Sequence, residues 1–457
     1  MTADDPGRDT GLFADLYELR MAASYLRHGM TETATFSLFA RDLPARRGFL
    51  VAAGLAGALD FLERFRFGDA DLAWLGREAD LDGRTLTALG AMRFTGDVHA
   101  VPEGRVVFAD EPLLEVTAPL PEAQLVETGL LNAMTHATAI ASKAARCRLA
   151  ADGADLIDFS ARRTHGREAA RVAARASAIV GFDGTSDTEA ARELGVPAVG
   201  TMAHSYVQAF GADRDAFRAF ATDFPSVSVF LVDTYRTLDG VRAAVDVISE
   251  LGLTGRLGIR LDSGDLAGLA FGARRILDAA GLDNVRIMAS GGLDEDAIAE
   301  LVTARAPIDS YGIGTRMGTS ADAPSLDTAY KLVEYAGRPV MKLSVGKATL
   351  PGAKQVWRGP DGDTLGLREE PGPQGHESLL VPVMANGVRT GTGLDAVDLG
   401  AARHRFDTDL AWLPAQARLL ALPRPVVPVV SERLAGLRRQ TAARSGTAAP
   451  SKDPGPT

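Results

Sequence analysis

The chain has 457 residues, 46% hydrophobic and 24% charged, an ordinary balance for a globular protein and a length that suggests two or three domains. Its formal charge of −10, from 49 Lys and Arg against 59 Asp and Glu, argues against nucleic acid or an anionic membrane as partner. A single cysteine, Cys147, leaves no intrachain disulfide framework and no thiolate metal cluster, and it fits a reducing cytoplasm.

In chain order, residues 1–11 are acidic and polar, with no signal peptide visible. Residues 11–28 read as a helix, 35–39 as a strand and 50–65 as a helix. Residues 94–116 alternate, with turns at Pro102-Glu103-Gly104 and Asp110-Glu111-Pro112, as antiparallel strands do. Residues 125–150 read as a linking helix, in which Cys147 is a small packing residue rather than a nucleophile. Between about 155 and 315, seven short β-branched runs, at 156–159, 181–183, 197–200, 227–232, 256–261, 285–289 and 309–313, alternate with amphipathic runs. That pattern means βαβ units and a parallel sheet. Seven runs exceed half a Rossmann sheet, and no G-x-G-x-x-G follows the first, so the expectation is an irregular barrel. Beyond it, 340–343 and 355–357 look strand-like, and helices fall near 407–420 and 430–439. No apolar run is long enough to cross a bilayer.

The expected fold is therefore an irregular α/β (TIM-like) barrel plus a second α+β domain made from both chain ends. Residues 1–125 and 331–440 would form the α+β domain and 126–330 the barrel, with 441–457 a disordered tail.

The ends of the barrel strands collect a polar set: Arg162-Arg163, Asp183, Thr201, His204, Asp233, Arg260 with Asp262 and Asp265, Ser290-Gly291-Gly292, and Gly312 to Thr315. The functional face of an α/β barrel is built from such loops. Asp265 reads as a helix cap. The two glycine loops let backbone N–H groups approach an anion, with the following helix N-termini adding a favourable dipole. His204 opens a helix beside carboxylates, a place for a nucleophile or proton-transfer group. No lysine occurs between residues 144 and 330, so a Schiff-base barrel lacks its nucleophile, and there is no Cys/His cluster for zinc. Arg, Asp, His and backbone donors remain, a set suited to a phosphorylated, Mg²⁺-bound sugar.

These motifs resemble nicotinate phosphoribosyltransferase, of the type II phosphoribosyltransferases. The resemblance runs in consistent order from Thr10-Gly11-Leu12-Phe13-Ala14-Asp15-Leu16-Tyr17-Glu18-Leu19 through Glu111-Pro112-Leu113-Leu114, Lys143-Ala144-Ala145-Arg146 and Arg162-Arg163. It continues through Gly181-Phe182-Asp183-Gly184-Thr185-Ser186, Gly200 to Ser205, Leu231-Val232-Asp233-Thr234-Tyr235, Arg260 to Leu266, Gly312 to Thr315, Tyr330-Lys331-Leu332-Val333 and Leu350-Pro351-Gly352. It implies a cytoplasmic homodimer with active sites at the subunit interface, in NAD salvage. It implies a ligase-type reaction joining nicotinate to 5-phosphoribosyl 1-diphosphate, with Mg²⁺, and coupled to ATP hydrolysis through a transient phosphohistidine at His204. Arg260 would grip the nicotinate carboxylate bidentately. Tyr17, from the neighbouring subunit, would stack on the pyridine ring. Thr201, read as one helical turn from His204, would also touch nicotinate. Asp262 would hold ribose hydroxyls, or Mg²⁺ through water. Arg163 would take the pyrophosphate, and Gly292 and Thr315 the 5-phosphate.

Three stretches, five residues in all, depart from the commoner family pattern. Thr164-His165 stands for Ala-Gln, Gly291-Gly292 for Asn-Asp, and Asp187 for Asn. The second leaves only a backbone role at 291 and 292. Of the rivals, a nicotinamide phosphoribosyltransferase would want an acid beside the ring, where this chain has Ser205. A quinolinate enzyme would want more cationic residues. A non-catalytic ligand sensor would be expected to have lost His204, Arg260 or Asp262.

Overall fold

A computed structural model describes residues 9–344 and 349–444. The chain divides into two compact units, Met1–Ser142 with Ala323–Thr457, and Lys143–Asp322. The first division falls inside the helix Glu127–Ala150, not at residue 125. Leu130, Met134 and Ala139 belong to the core of the first unit, whereas Lys143 and Arg146 pair with Glu295 of the second. The second division falls at 322 rather than 330, because the strand Thr328–Tyr335 pairs with Thr33–Ala40.

The Lys143–Asp322 unit contains six parallel strands: β1 (Asp155–Asp158), β2 (Gly184–Thr185), β3 (Val227–Leu231), β4 (Arg256–Leu261), β5 (Arg286–Ala289) and β6 (Ser310–Ile313). Their order in the sheet is β2-β1-β6-β5-β4-β3. The β-branched and aliphatic runs form strands whose apolar side chains pack against the surrounding helices. Phe217, Phe230, Val241, Ile259, Leu261 and Leu277 form one buried cluster, each contributing about 1.5–3 kcal/mol. The run at 197–200 yields no strand, only one bridge from Ala198 to Thr185. It is four residues long and opens with Pro197, which has no N–H to donate. The sheet is therefore an open, curled half-barrel, with Ala198 beside one edge and β3 at the other.

In the other unit, the two chain ends share a seven-stranded antiparallel sheet. Thr33–Ala40 lies between Pro112–Pro119 and Thr328–Tyr335, joining N-terminal and C-terminal segments in one ladder. A second sheet holds Glu377–Ser378, Lys354–Gly359, Gly362–Leu367 and Val429–Val430. Residues 340–343, expected as strand, are not; only Arg338–Pro339 folds back onto Thr328–Tyr335. The helix expected over 407–420 instead spans Leu399–Trp412. Asp398 caps it by accepting from the Ala401 N–H at 2.7 Å, and Pro414 follows its end. The last helix, Glu432–Arg444, runs four residues into the segment expected to be disordered; 445–457 lie outside the described residues. No described helix is long and apolar enough to cross a membrane.

Candidate functional site

Strand alternation sets the site. In β4, Ile259 and Leu261 are buried, and Arg260 between them points the other way. Its Nε donates to Ser290 Oγ at 2.8 Å, Nη1 to Thr201 Oγ1 at 2.9 Å and Nη2 to Asp262 Oδ1 at 2.8 Å. The guanidinium lies 5.5 Å from the centre of the Phe159 ring. These partners follow β5, the Ala198 bridge, β4 itself and β1, so one side chain gathers four loops. A guanidinium has five N–H groups. Three are engaged here, which leaves one on each terminal nitrogen for a ligand.

Ser290 Oγ also donates to Asp262 Oδ1 at 2.5 Å. Burial pushes the Asp262 carboxyl up, but the hydrogen bonds from Ser290 and Arg260 and the charge of Arg260 outweigh it, holding the group below the usual aspartate value. The Asp262 N–H and Ser263 Oγ both donate to Asp233 Oδ2, at 3.1 and 2.6 Å. Asp233 Oδ1 is buried with no hydrogen-bond partner.

His204 begins the helix His204–Phe210, and its side chain is 41% exposed. Nδ1 lies 3.1 Å from Thr234 Oγ1, and Nε2 lies 3.9 Å from Asp262 Oδ2. Thr201 is not one helical turn from His204, because the helix begins only at His204. Thr201 sits in the preceding loop, where its hydroxyl donates to the Met202 carbonyl while accepting from Arg260.

At Gly291 (φ +91°) an added Cβ would lie 1.9 Å from the Asp262 carbonyl oxygen, so the β5 loop presses its backbone against the β4 loop. Gly292 (φ +68°) faces open space. The helix N-termini expected to assist an anion here are either very short or rich in acidic side chains. The helix after β6, Thr315–Gly318, has four residues, and the helix after β5, Glu295–Thr303, opens with Asp294, Glu295 and Asp296. Asp294 caps that helix through the Ala297 N–H and pairs with Arg316 Nη1 at 2.6 Å. Behind it, Glu295 is buried between Lys143 Nζ and Arg146 Nε, at 2.6 and 2.8 Å, and Lys143 reaches Asp322 at 3.0 Å.

Arg163 ends the exposed turn Ala161–Arg163 after β1, and Thr315 follows β6. Among the described residues, no hydrogen bond joins the side chains of Arg163 or Thr315 to the Arg260 cluster. Asp183 does not belong to the rim set. It precedes β2, and its carboxylate accepts from the Leu156 N–H at 2.9 Å, at the opposite end of the strands. Asp265 does cap its helix, accepting from the Gly268 N–H at 3.1 Å. Cys147 is buried, and burial pushes its thiol up, so it packs rather than reacts. In the other unit, Tyr17 is 48% exposed in the first turn of Leu16–Arg27, with its hydroxyl on Glu127.

Sequence reasoning missed the side chains of Ser290, Thr234 and Phe159 and the bridging role of Asp233. Each lies within three residues of a strand's carboxyl end, which is the signal that could have found them. Among the described residues, no three His, Cys, Asp or Glu side chains converge as an all-protein metal cage would require. Mg²⁺ needs only one or two carboxylates plus phosphate oxygens, and the unpartnered Asp233 Oδ1 beside Asp262 fits that demand.

The fold and rim define an α/β half-barrel that takes small ligands at the carboxyl ends of its strands. Residues 12–135 match the profile of the nicotinate phosphoribosyltransferase (NAPRTase) N-terminal domain, and residues 154–352 match that of the NAPRTase family. The chain is 46% identical over 435 residues to nicotinate phosphoribosyltransferase pncB2 of Mycobacterium tuberculosis (strain ATCC 25618 / H37Rv), covering 93% of this chain and 92% of that one. The crystal structure of human nicotinic acid phosphoribosyltransferase superposes with a TM-score of 0.81 at 31% identity, over 93% of this chain and 98% of the other. That of nicotinate-nucleotide pyrophosphorylase from Pyrococcus furiosus gives 0.72 at 26% identity, over 90% and 96%. The chain belongs to the nicotinate phosphoribosyltransferase family.

Proposed function

We propose that this protein joins nicotinate to 5-phosphoribosyl 1-diphosphate, releasing pyrophosphate and forming nicotinate mononucleotide for NAD biosynthesis. The observation that carries this reading is Arg260, whose two uncommitted N–H groups suit a carboxylate. Ser290, Thr201 and Asp262 hold the fork rigid, so little rotamer freedom is lost on binding. With the carboxylate on Arg260, the pyridine nitrogen attacks C1 of the ribose as the bond to pyrophosphate breaks. The transition state has oxocarbenium character, so catalysis consists of positioning and charge stabilisation. Asp262, kept ionised by Ser290 and Arg260, receives the ribose hydroxyls. Arg163 takes the pyrophosphate, and the Gly292 and Thr315 loops take the 5-phosphate. Mg²⁺ on the diphosphate would neutralise the leaving group, with Asp233 and Asp262 as the carboxylates that would hold it, directly or through water.

His204 supplies the coupling to ATP. With Nδ1–H donating to Thr234, the Nε2 lone pair is the nucleophile. Nε2 takes the terminal phosphoryl group as the bond to ADP breaks, and water later releases phosphate. The protein acts as a cytoplasmic homodimer in which Tyr17 of each subunit stacks on the pyridine ring bound by the other. The test is turnover of nicotinate against nicotinamide, with ADP release counted per product. The expected result is faster use of the acid and loss of coupled ADP release in His204→Ala, with nicotinate still bound. Faster use of the amide would overturn the substrate assignment, and unchanged ADP release in His204→Ala would overturn the phosphohistidine.

A further inference from the structure

We infer that the Arg316 guanidinium is a direct ligand of the sugar 5-phosphate, aimed by its ion pair with Asp294. The inference rests on the phosphoribosyl reading above and adds the charged group that this reading lacks. The glycine loops after β5 and β6 offer only neutral backbone donors. The longer helix that follows them is capped by Asp294 and begins with Glu295 and Asp296, and the other is a single short turn. A phosphate dianion placed there with no cation would meet an adverse field. Lysine cannot supply the cation. Lys143 is the unit's only lysine, and it is buried against Glu295 and Asp322.

Arg316 is placed to supply it. It directly follows Thr315 at the carboxyl end of β6, and Asp294 ends the neighbouring β5 loop. Nη1 of Arg316 lies 2.6 Å from Asp294 Oδ2, so the pair ties the two glycine loops together. The exposures are unequal: 53% for the Arg316 side chain and 11% for Asp294. The carboxylate is the buried anchor and the guanidinium faces outward. Among the described residues Asp294 is the only hydrogen-bond partner of the Arg316 side chain, which leaves four of its five N–H groups for a ligand. Asp294 is itself committed twice, to the Ala297 N–H and to Arg316, so it cannot simply follow a displaced arginine. Glu295 does not compete, because Lys143 and Arg146 hold it from the far side. Gly292, on the same β5 loop as Asp294, has open space where a side chain would project. An arginine fork fixed on one edge and open on the other is the arrangement that binds phosphate bidentately.

The test uses calorimetric titration of the full chain with ribose 5-phosphate, and steady-state kinetics with the phosphoribosyl donor. Arg316→Gln should weaken ribose 5-phosphate and raise KM for the donor by roughly 10- to 100-fold, the scale of a charge-assisted hydrogen bond, with KM for nicotinate nearly unchanged. Arg316→Lys should recover part of the loss. Asp294→Asn keeps a capping side chain and should lose only about threefold, because the guanidinium remains. Wild-type affinity in Arg316→Gln overturns the inference while leaving the phosphoribosyl reading intact. So does an equal loss in Asp294→Asn and Arg316→Gln, which would make the pair a structural latch. If the wild-type protein itself does not bind ribose 5-phosphate, the phosphoribosyl reading fails first. Should Arg316→Gln melt early, the Arg316→Lys titration carries the decision, since full recovery of binding by a point charge would exclude a bidentate fork.

Discussion

Arg260 is the residue on which the rim depends, because one planar group satisfies Ser290, Thr201 and Asp262 and still offers two donors. Lysine has three donors on one nitrogen and no fork, so it cannot hold those partners and a carboxylate together. Arg260→Lys should raise KM for nicotinate roughly 10- to 100-fold, measured by steady-state kinetics. It should also move the acid limb of the pH profile. Asp262 sits below the usual aspartate value because Ser290 and Arg260 overcome its burial. Weakening the Arg260 contact lets the burial cost act, so the Asp262 pKa rises and kcat/KM falls at a higher pH than in the wild type. An acid limb that stays in place would show that Asp262 is not the titrating group. Residue types at strand ends made Arg260, Asp262, His204 and Thr201 legible from the sequence. Ser290 was legible only as a neighbour of glycines, and Phe159 only as the end of an apolar run. Their roles depend on which strands are adjacent.

At the scale of elements, the loop after β5 owes its course to Gly291, where a methyl group would collide with the Asp262 carbonyl. Gly292 has the same sign of φ but open space around it. Gly291→Ala should therefore cost more than the roughly 1–2 kcal/mol of a left-handed residue, whereas Gly292→Ala should cost about that strain alone. Denaturant unfolding of the two variants checks the difference, and equal losses would show that the β4 and β5 loops are not in close contact in solution. The sequence pattern located five of the seven expected strands, and the run at 181–183 leads into the strand Gly184–Thr185 rather than forming it. The run at 197–200 failed because a Pro-led tetrapeptide makes only one bridge, and that failure leaves the half-barrel open on the side from which His204 enters. The acidic start of the Glu295 helix was plainly visible as Asp-Glu-Asp. Its bearing on an anion site was not, since composition alone does not say which way a helix points.

At the scale of the whole molecule, stability should carry a pH dependence that the active site does not set. Glu18 is buried in the first unit, with Oε1 accepting from Thr128 Oγ1 at 2.6 Å and Oε2 without a partner. Burial pushes its carboxyl up to about 7, opposed by the Thr128 hydrogen bond and reinforced by the charges of Glu127 and Asp15. In the unfolded chain the group ionises at the ordinary glutamate value, so the folded state binds the extra proton between that value and about 7. The resulting penalty is absent at low pH, grows as pH rises through this window and is complete above about 7. Glu18→Gln should raise Tm at pH 8 and leave it nearly unchanged at pH 4, as read by thermal unfolding across pH. A stabilisation that does not vary with pH would rule out this cause.

Alternation of short apolar runs with amphipathic ones determined the parallel sheet, and the order of motifs along the chain determined the family. Both are properties of local periodicity and residue type, which a sequence states directly. The division of the Glu127–Ala150 helix between two units, the open seam beside Ala198 and the placing of Asp183 at the wrong end of its strand for a rim residue were decided only by tertiary structure. So was the joining of Arg260 to Ser290, 30 residues away, and to Thr201, 59 residues away. Those outcomes follow from which strands pair and how tightly loops pack, and pairing is a contest among distant segments that no local pattern records.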